Sequence, residues 1–420
     1  LVSVTDKFDC VIVGGGAAGL WAAGTAASRG RKTLVLEKNN KAGVKILMSG
    51  GTRCNITHDC SSAEIAQAFG PDGRVLLSPL SRLSPQQVMD VFLEYGVPTK
   101  SEPGGKVFPV SDSAVDVRDA LLRRIDRHGA TVCTGVAVQD VSRNAGGTFR
   151  IATDSQEYLA DSLLICTGGL SYSACGTTGD GYPWVEKLGH SVSQRRPALA
   201  PLTSNSSICK SLQGTTHDDA LAYVVPYAEY PKKLSRNRHT YRGGFLWAHF
   251  GCSGPVAMNL SRWVSDLDNY SQTKIVLDIL PDESLDDLIH WLKDGKQSSR
   301  AKKVVNFLQM KFSQRLSETL MQICHVPDAI PMAELANAHI NAIANAIKSF
   351  DLPISGTRGY SKAEVTAGGV KLSEVDFQTM QSKVCPGLYL AGEILDLDGP
   401  IGGYNFQAAW STGHTAGLHM

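Results

Sequence analysis

Residues 9–20 read DCVIVGGGAAGL, and the order of residue types in that stretch decides the architecture. Asp9 to Val13 is a short β-branched run of the kind that forms a buried parallel strand. Gly14-Gly15-Gly16-Ala17-Ala18-Gly19 follows at once and satisfies G-x-G-x-x-G. The Ala-rich stretch to Ser28 predicts a helix, with Gly30 as its stop. KTLVL (32–36) predicts a second strand ending in Glu37, about 20 residues beyond the glycines. Strand, glycine turn, helix, strand and acid in that order predict a dinucleotide-binding α/β fold. Gly14 permits the tight turn, Gly16 the close approach of a pyrophosphate, and Gly19 the packing of helix on strand. The helix N-terminus from Ala17 and Ala18 onward offers free N–H groups and a partial positive charge to phosphates. A carboxylate at Glu37 favours a free ribose hydroxyl, as in NAD or FAD, over NADP.

Composition bounds what such a fold can serve. The chain has 420 residues, 41 Lys+Arg against 40 Asp+Glu and a net charge of +1. At about 100–200 residues per domain this suggests two to four structural units. A hydrophobic fraction of 43% supports a sizeable core and excludes global disorder. The balanced charge argues against a nucleic-acid binder acting through a broad basic face, and Arg300, Lys302 and Lys303 read as a solvated helix face. Ten cysteines occur without any C-x-x-C, which removes dithiol, zinc-ribbon and iron–sulfur signatures, and no metal is expected. Cys10 and Cys166 lie in apolar strand-like runs as small hydrophobes. Reduced thiols, the lack of a signal-peptide layout and the lack of an apolar run of about 20 residues point to a cytoplasmic protein without a membrane span. The first residue is not Met, which leaves an upstream targeting segment open. The oligomeric state is not legible.

The remaining chain discriminates between dinucleotides. An NAD domain would continue with further βα units, whereas GVKILMSGGTRCNITH (43–58) mixes Gly, Ser, Arg and Asn in a segment too irregular for a helix. A polar loop of that kind could wrap an extended cofactor. SLLIC (162–166) predicts another strand, followed by Thr167-Gly168-Gly169 at the carboxyl edge of the sheet. GLYLA (387–391) predicts a late strand ending in Gly392-Glu393, whose carboxylate could bind ribityl hydroxyls. GPIGGYNFQ (399–407) then leads into a helix whose N-terminus could face a flavin pyrimidine. Cofactor signals at both chain ends suit FAD better than NAD.

The chain resembles the BaiN-like family of NAD(P)/FAD-dependent oxidoreductases, which also includes aminoacetone oxidase. The resemblance is carried by VIVGGGAAGLWAA (11–23), GVKILMSGGTRCNITH (43–58), EPGGKVFPVSDSAVDV (102–117) and TGGLSYSACGTTGDGY (167–182). GFLWAHFGCSGP (244–255), AEVTAGGVKL (363–372) and AGEILDLDGPIGGYNFQAAWSTG (391–413) continue it. It implies FAD contacts at Gly14, Gly16, Ala18 and Gly19, with Glu37 on the adenosine ribose. It implies further contacts from Lys45, Ser49, Gly51, Arg53, Cys54 and Asn55, and backbone bonds from Val136 to adenine. Thr167, Gly168 and Gly169 would line the middle of the cofactor and Gly392 and Glu393 its ribityl chain. Gly403, Tyr404, Asn405 and Phe406 would lie near the isoalloxazine. Ala17, Lys38 and Gly50 complete the candidate set. Val44, Thr52, His58 and Lys106 depart from the family pattern. Thr52 puts a Cβ where the family prefers glycine.

The implied fold is a two-dinucleotide-type FAD-binding Rossmann-like α/β domain, 1–193 with 356–420. A β-rich substrate region (194–281) and a small helical region (282–355) are inserted, and the family places substrate where they meet the flavin. Within the insertion, PALAPLTS (197–204), AYVVPYAEYP (222–231) and TKIVLDILP (273–281) predict strands, and 284–293, 304–323 and 332–350 predict helices. Cys54 reads either as a redox thiol or as a structural loop residue, and the lack of a dithiol partner favours the latter. His249 is a candidate general base, with a packed core histidine the favoured alternative. Tyr172 and Tyr404 could orient substrate or merely cover the flavin, and Ser171 and Ser253 lack a nucleophile elbow. No catalytic residue is assigned. The expected activity is flavin oxidoreduction of a small organic substrate, with NAD(P)H as a candidate electron donor. The alternatives are an oxygen-using aminoketone or amine oxidase and an FAD-containing binding protein. An RNA-modifying flavoprotein is disfavoured by the balanced charge.

Overall fold

The computed structural model describes residues 6–226, 240–266 and 273–420. The chain divides into two compact units, Leu1–Arg196 with Glu364–Met420, and Pro197–Ala363.

The first unit is organised by strand β1 (Asp6–Val13), helix α1 (Ala17–Ser28) and strand β2 (Thr33–Glu37). β1 pairs in parallel with β2 on one side and with Glu157–Ile165 on the other. Thr131–Thr134 extends the parallel set beyond β2, and Leu388–Leu390 extends it beyond Glu157–Ile165. All five residues of β2 are buried, as expected of a central strand covered on both faces. The fold is the Rossmann-like α/β class expected from the sequence.

α1 buries ten of its twelve residues, which explains an Ala/Gly composition without an amphipathic stripe. It lies against the C-terminal helix Tyr404–His419. A Cβ on Gly413 would stand 2.3 Å from Ala18 O, and one on Gly417 2.6 Å from Ala22 O, so the two backbones touch. The last helix thereby fixes the first, and Trp21, Phe92 and Trp410 fill the adjoining core with ring centroids 5.4–5.9 Å apart.

Polar groups are enclosed beside this crossing. Arg124 donates to Trp21 O at 2.9 Å and to Thr25 Oγ1 at 2.8 Å, and His414 Nδ1 lies 3.1 Å from Thr25 Oγ1. Burial, reinforced by the Arg124 charge, lowers the His414 pKa to about 4. The neutral imidazole belongs to the native state, while the unfolded chain titrates near 6.5. Stability from this group is therefore complete above about pH 6.5 and is lost as pH falls toward 4, by up to about 3 kcal/mol. Urea midpoints at pH 7 and pH 4.5 should show this fall, and His414→Gln should reduce it.

The second unit has its own sheet and core. Thr216–Pro226, Thr240–Ala248, Thr273–Asp278 and Phe350–Ile354 form antiparallel neighbours in one sheet. The end of the predicted strand 222–231 lies outside the described residues. The predicted helix 304–323 is two helices, Val304–Leu308 and Gln314–Ile323, because Ser313 caps the second by accepting from Leu316 N. The predicted helix 332–350 resolves into Asn337–Lys348 and a strand beginning at Phe350. The helical stretch thus returns to the sheet, and one hydrophobic cluster spans both, from Phe245 and Trp247 to Leu320 and Ile343. His249 is exposed at the turn between Thr240–Ala248 and Gly251–Ser253, ring edge against Phe250. The favoured reading of a packed core histidine does not hold, since a hairpin turn carries its side chains outward.

Candidate dinucleotide site

Because the parallel strands are in register, their carboxyl ends reach one edge: Val13, Glu37, Thr134, Ile165 and Leu390. That edge collects five loops far apart in sequence. The three glycines after β1 have different surroundings. Gly14 sits at φ 113°, and a Cβ there would lie 2.6 Å from Cys166 O. A Cβ on Gly19 would lie 1.9 Å from Gly14 O. Gly16 has ordinary φ −85° and nothing within 4 Å of its would-be Cβ. Packing within the protein therefore accounts for Gly14 and Gly19, while Gly16 faces open space. No side chain caps the N-terminus of α1. Thr167 Oγ1 is buried without a hydrogen-bond partner among the described residues. An uncovered glycine, an uncapped helix start and an orphan hydroxyl on one edge fit a dinucleotide.

Glu37 is 8% exposed, and its carboxylate organises the turn. Oε2 accepts from Gly15 N at 2.8 Å, and Oε1 accepts from Asn39 N and Asn39 Nδ2, both at 2.8 Å. Lys38 points elsewhere, donating to Thr178 Oγ1 at 2.5 Å and pairing with Asp180. Val136 N donates to Glu37 O at 2.9 Å, so only its carbonyl is left to offer.

The segment 43–58 is less irregular than its composition suggested, for Val44–Met48 forms helix α2 behind Gly43 at φ 72°. Gly50, Gly51, Thr52 and Cys54 then all take positive φ, between 54° and 70°. Thr52 holds a left-handed conformation that costs a non-glycine residue about 1–2 kcal/mol. Arg53 is clamped by Asp112, to which its Nε donates at 2.8 Å, and by Glu102, and lies over the Phe108 ring. Ser49 Oγ donates to Ile46 O at 2.8 Å. Cys54 is fully buried, and burial pushes its thiol up to about 12, so it is structural rather than a redox nucleophile. Alkylation with iodoacetamide at pH 8 should spare Cys54 in the native protein and modify it after denaturation, as mass spectrometry would show.

The loops after Ile165 and Leu390 meet α2 in a polar cluster. Lys45 Nζ donates to Ser171 Oγ at 2.8 Å and to Glu393 Oε2 at 2.5 Å. Glu393 Oε1 accepts from Ser171 Oγ at 2.6 Å and from Thr366 N at 2.9 Å. Thr366 Oγ1 in turn accepts from Leu170 N and Ser171 N. A Cβ on Gly169 would collide with Thr366 and approach Glu393, and Gly168 sits at φ 74°. Ser171 and Thr366 were not read from the sequence as site residues. Their only signal was membership of the segments 167–182 and 363–372.

The closing loop ends at Gly402 and Gly403, with φ 133° and 93°. A Cβ on Gly403 would overlap the Thr57 backbone. Asn55, with its amide oxygen turned to Gly403, accepts from Gly403 N at 3.0 Å. Asn405 spends its side chain on Gly399 and Pro400, Phe406 stacks on Trp410, and Tyr404 stacks on His58 at 4.6 Å between centroids. His58 Nδ1 lies 2.9 Å from Gly402 O. The helix Tyr404–His419 begins without a side-chain cap, so this loop offers backbone N–H groups more than side chains.

A parallel sheet whose glycine turn leaves Gly16 uncovered is the geometry of a dinucleotide-binding α/β domain, and the family match makes the protein an FAD-dependent oxidoreductase. Within that class the chain belongs to the family described as HI0933-like protein Rossmann domain, whose model matches residues 8–419. It is 31% identical to the 3-dehydro-bile acid delta(4,6)-reductase of Clostridium scindens over 409 residues, 97% of each chain. It is 30% identical to the ribosomal RNA dihydrouridine synthase of Escherichia coli K12 over 408 residues, 97% of this chain and 96% of that one. Among solved structures, the 3-ketosteroid-delta4-(5alpha)-dehydrogenase of Rhodococcus jostii RHA1 superposes with a TM-score of 0.53, covering 100% of this chain and 98% of that chain at 14% identity. That likeness shows the fold alone. Among the described residues, no helix is long and apolar enough to cross a membrane.

Proposed function

We propose that this protein adds two hydrogens across a carbon–carbon double bond conjugated to a carbonyl, using FAD reduced by NAD(P)H. One observation carries this reading. Two relatives of equal similarity, named for a Δ4,6-reductase of 3-oxo bile acids and for a dihydrouridine synthase, act on scaffolds that share only that bond. A common ancestor of this chain and both relatives most simply supplied the shared chemistry. The scaffold is the variable part. The +1 net charge favours a small organic molecule over RNA, although a relative named for ribosomal RNA keeps charge from deciding the matter alone.

Gly14–Gly19 and the start of α1 would hold the pyrophosphate, and Glu37 the adenosine ribose. Lys45, Thr167 to Gly169 and Gly392-Glu393 would flank the ribityl chain, and the loop 402–406 the isoalloxazine. Bound FAD would supply two-electron hydride chemistry at this edge, with NAD(P)H as the electron source. Lys45 and Ser171 hold Glu393 in one orientation by hydrogen bonds at 2.5–2.8 Å. The uncapped start of Tyr404–His419 presents a partial positive charge at the loop.

The test is anaerobic. The FAD-loaded protein is bleached with NADPH or NADH and then mixed with a 3-oxo-Δ4 steroid acid or a uridine-containing RNA. Return of the oxidised spectrum with one probe supports the reading and names the scaffold. Reoxidation only by oxygen, with peroxide formed from an aminoketone substrate, would replace it with an oxidase. A flavin that no donor bleaches would leave a binding protein.

A further inference from the structure

We propose that Glu364 is the acid that delivers a proton to the substrate carbon adjacent to the carbonyl. This rests on the conjugated-alkene reading above. Hydride addition to the far carbon of such a bond leaves negative charge shared between the near carbon and the carbonyl oxygen, and saturation requires one proton at that near carbon. A side chain that supplies it must be fixed beside the cofactor, accessible to substrate, free of competing partners and protonated at working pH.

Glu364 is placed for this role. Its main chain is fixed in the polar cluster, because Ser171 Oγ lies 3.3 Å from Glu364 O and also bonds Glu393, which is tied to Lys45. Two residues on, Thr366 N donates to Glu393 at 2.9 Å, so the strand Val365–Ala367 cannot slide relative to the cluster. Residue 364 is exposed as a whole, and none of the hydrogen bonds or ion pairs of the described residues engages its carboxyl. Lys45 on α2 and Lys106 on the strand Lys106–Pro109 are near enough for their charges to act on it. Lys106 pairs in register with His58, which reaches Gly402 O. Glu364 therefore stands beside the Lys45–Glu393 cluster, within reach of the Lys106 charge.

Its environment suits an acid. Desolvation raises its pKa above that of a free glutamate despite the opposing charges of Lys45 and Lys106. Once the proton has left, those two lysines stabilise the carboxylate. The other candidates are poorer. Glu37 and Glu393 have their oxygens engaged, and burial holds the Cys54 thiol and the Tyr404 phenol near 12. In the step, the Glu364 O–H bond breaks and a C–H bond forms at the near carbon. This balances the hydride delivered to the far carbon at the expense of the C=C bond. Solvent returns a proton to the carboxylate.

The test compares the FAD-loaded wild type with Glu364→Gln. FAD content and the rate of bleaching by NADPH should be unchanged. Reoxidation by whichever conjugated probe serves the wild type should slow by about 10²–10⁴-fold. Infrared difference spectra between acid and neutral pH supply a readout apart from turnover: a carboxyl C=O band should titrate in the wild type and be missing from the variant. The lysines facing it, Lys45 and Lys106, and His58 beside Lys106 give no such band, and Glu393 remains in both proteins. Unchanged reoxidation, or an identical band in both proteins, would overturn the role of Glu364 while leaving the reductase reading intact. A wild type that reduces neither probe would overturn both. Glu364→Asp, which keeps the acid on a shorter arm, should recover part of the rate, whereas a purely structural defect in the Gln variant would lower FAD content instead.

Discussion

Replacing Gly16 with valine is expected to abolish FAD retention while leaving the apoprotein as stable as the parent. The argument rests on what surrounds each glycine of the turn. Gly16 has a backbone that any residue adopts, and a Cβ there would meet no protein atom within 4 Å. The free chain therefore has room for the valine. The cofactor does not, because its pyrophosphate must approach the backbone at that point. An increase in Kd of about 100-fold or more corresponds to about 2.8 kcal/mol. The control is Gly14→Val, where φ 113° and a 2.6 Å approach to Cys166 O make the substitution incompatible with the fold itself. Flavin absorbance after reconstitution and urea unfolding of the two apoproteins separate the cases. A Gly16→Val protein that retains flavin would show that the open space at the turn serves no phosphate.

The second large effect is expected at Glu37. Its carboxylate accepts three hydrogen bonds at 2.8 Å, from Gly15 N, Asn39 N and Asn39 Nδ2. Glu37→Ala would strand the Gly15 N–H beside a buried site and release residue 39, at a cost of about 2–4 kcal/mol. FAD would be lost as well, together with the ribose acceptor. The two losses distinguish this variant from Gly16→Val, in which only the cofactor is lost. Glu37→Gln keeps one carbonyl acceptor and should fall between them in apoprotein stability. If Glu37→Ala leaves the urea midpoint of the apoprotein unchanged, the carboxylate does not organise the turn.

These predictions share a feature. One glycine of the turn answers to a ligand, and one acid answers both to a ligand and to the chain. Sequence reasoning assigns both residues to a ribose and a pyrophosphate, because spacing along the chain fixes where they fall on a βαβ unit. It does not reveal that Glu37 also holds the turn closed, since the Gly15 N–H that it accepts is a backbone group with no signature in the residue order.

What the sequence alone determined is local or periodic. The run DCVIV with its glycines, the Ala-rich helix and KTLVL specified a parallel βαβ start, and SLLIC and GLYLA specified further strands of the same sheet. Hydrophobic periodicity and glycine punctuation act over a few residues, and that range is enough to fix an element. Only the tertiary structure decided which side chains remain available at the site. The polar groups or rings of Lys38, Val136, Asn405 and Phe406 are spent on Asp180, Glu37, the Gly399–Pro400 backbone and Trp410. Ser171, Thr366 and Glu364 entered the site because folding brings residues 171, 364–366 and 393 together, where hydrogen bonds through Ser171 Oγ and Glu393 join them. A hydrogen bond between partners 222 residues apart leaves no mark on local composition, so it could be found only after the chain had folded.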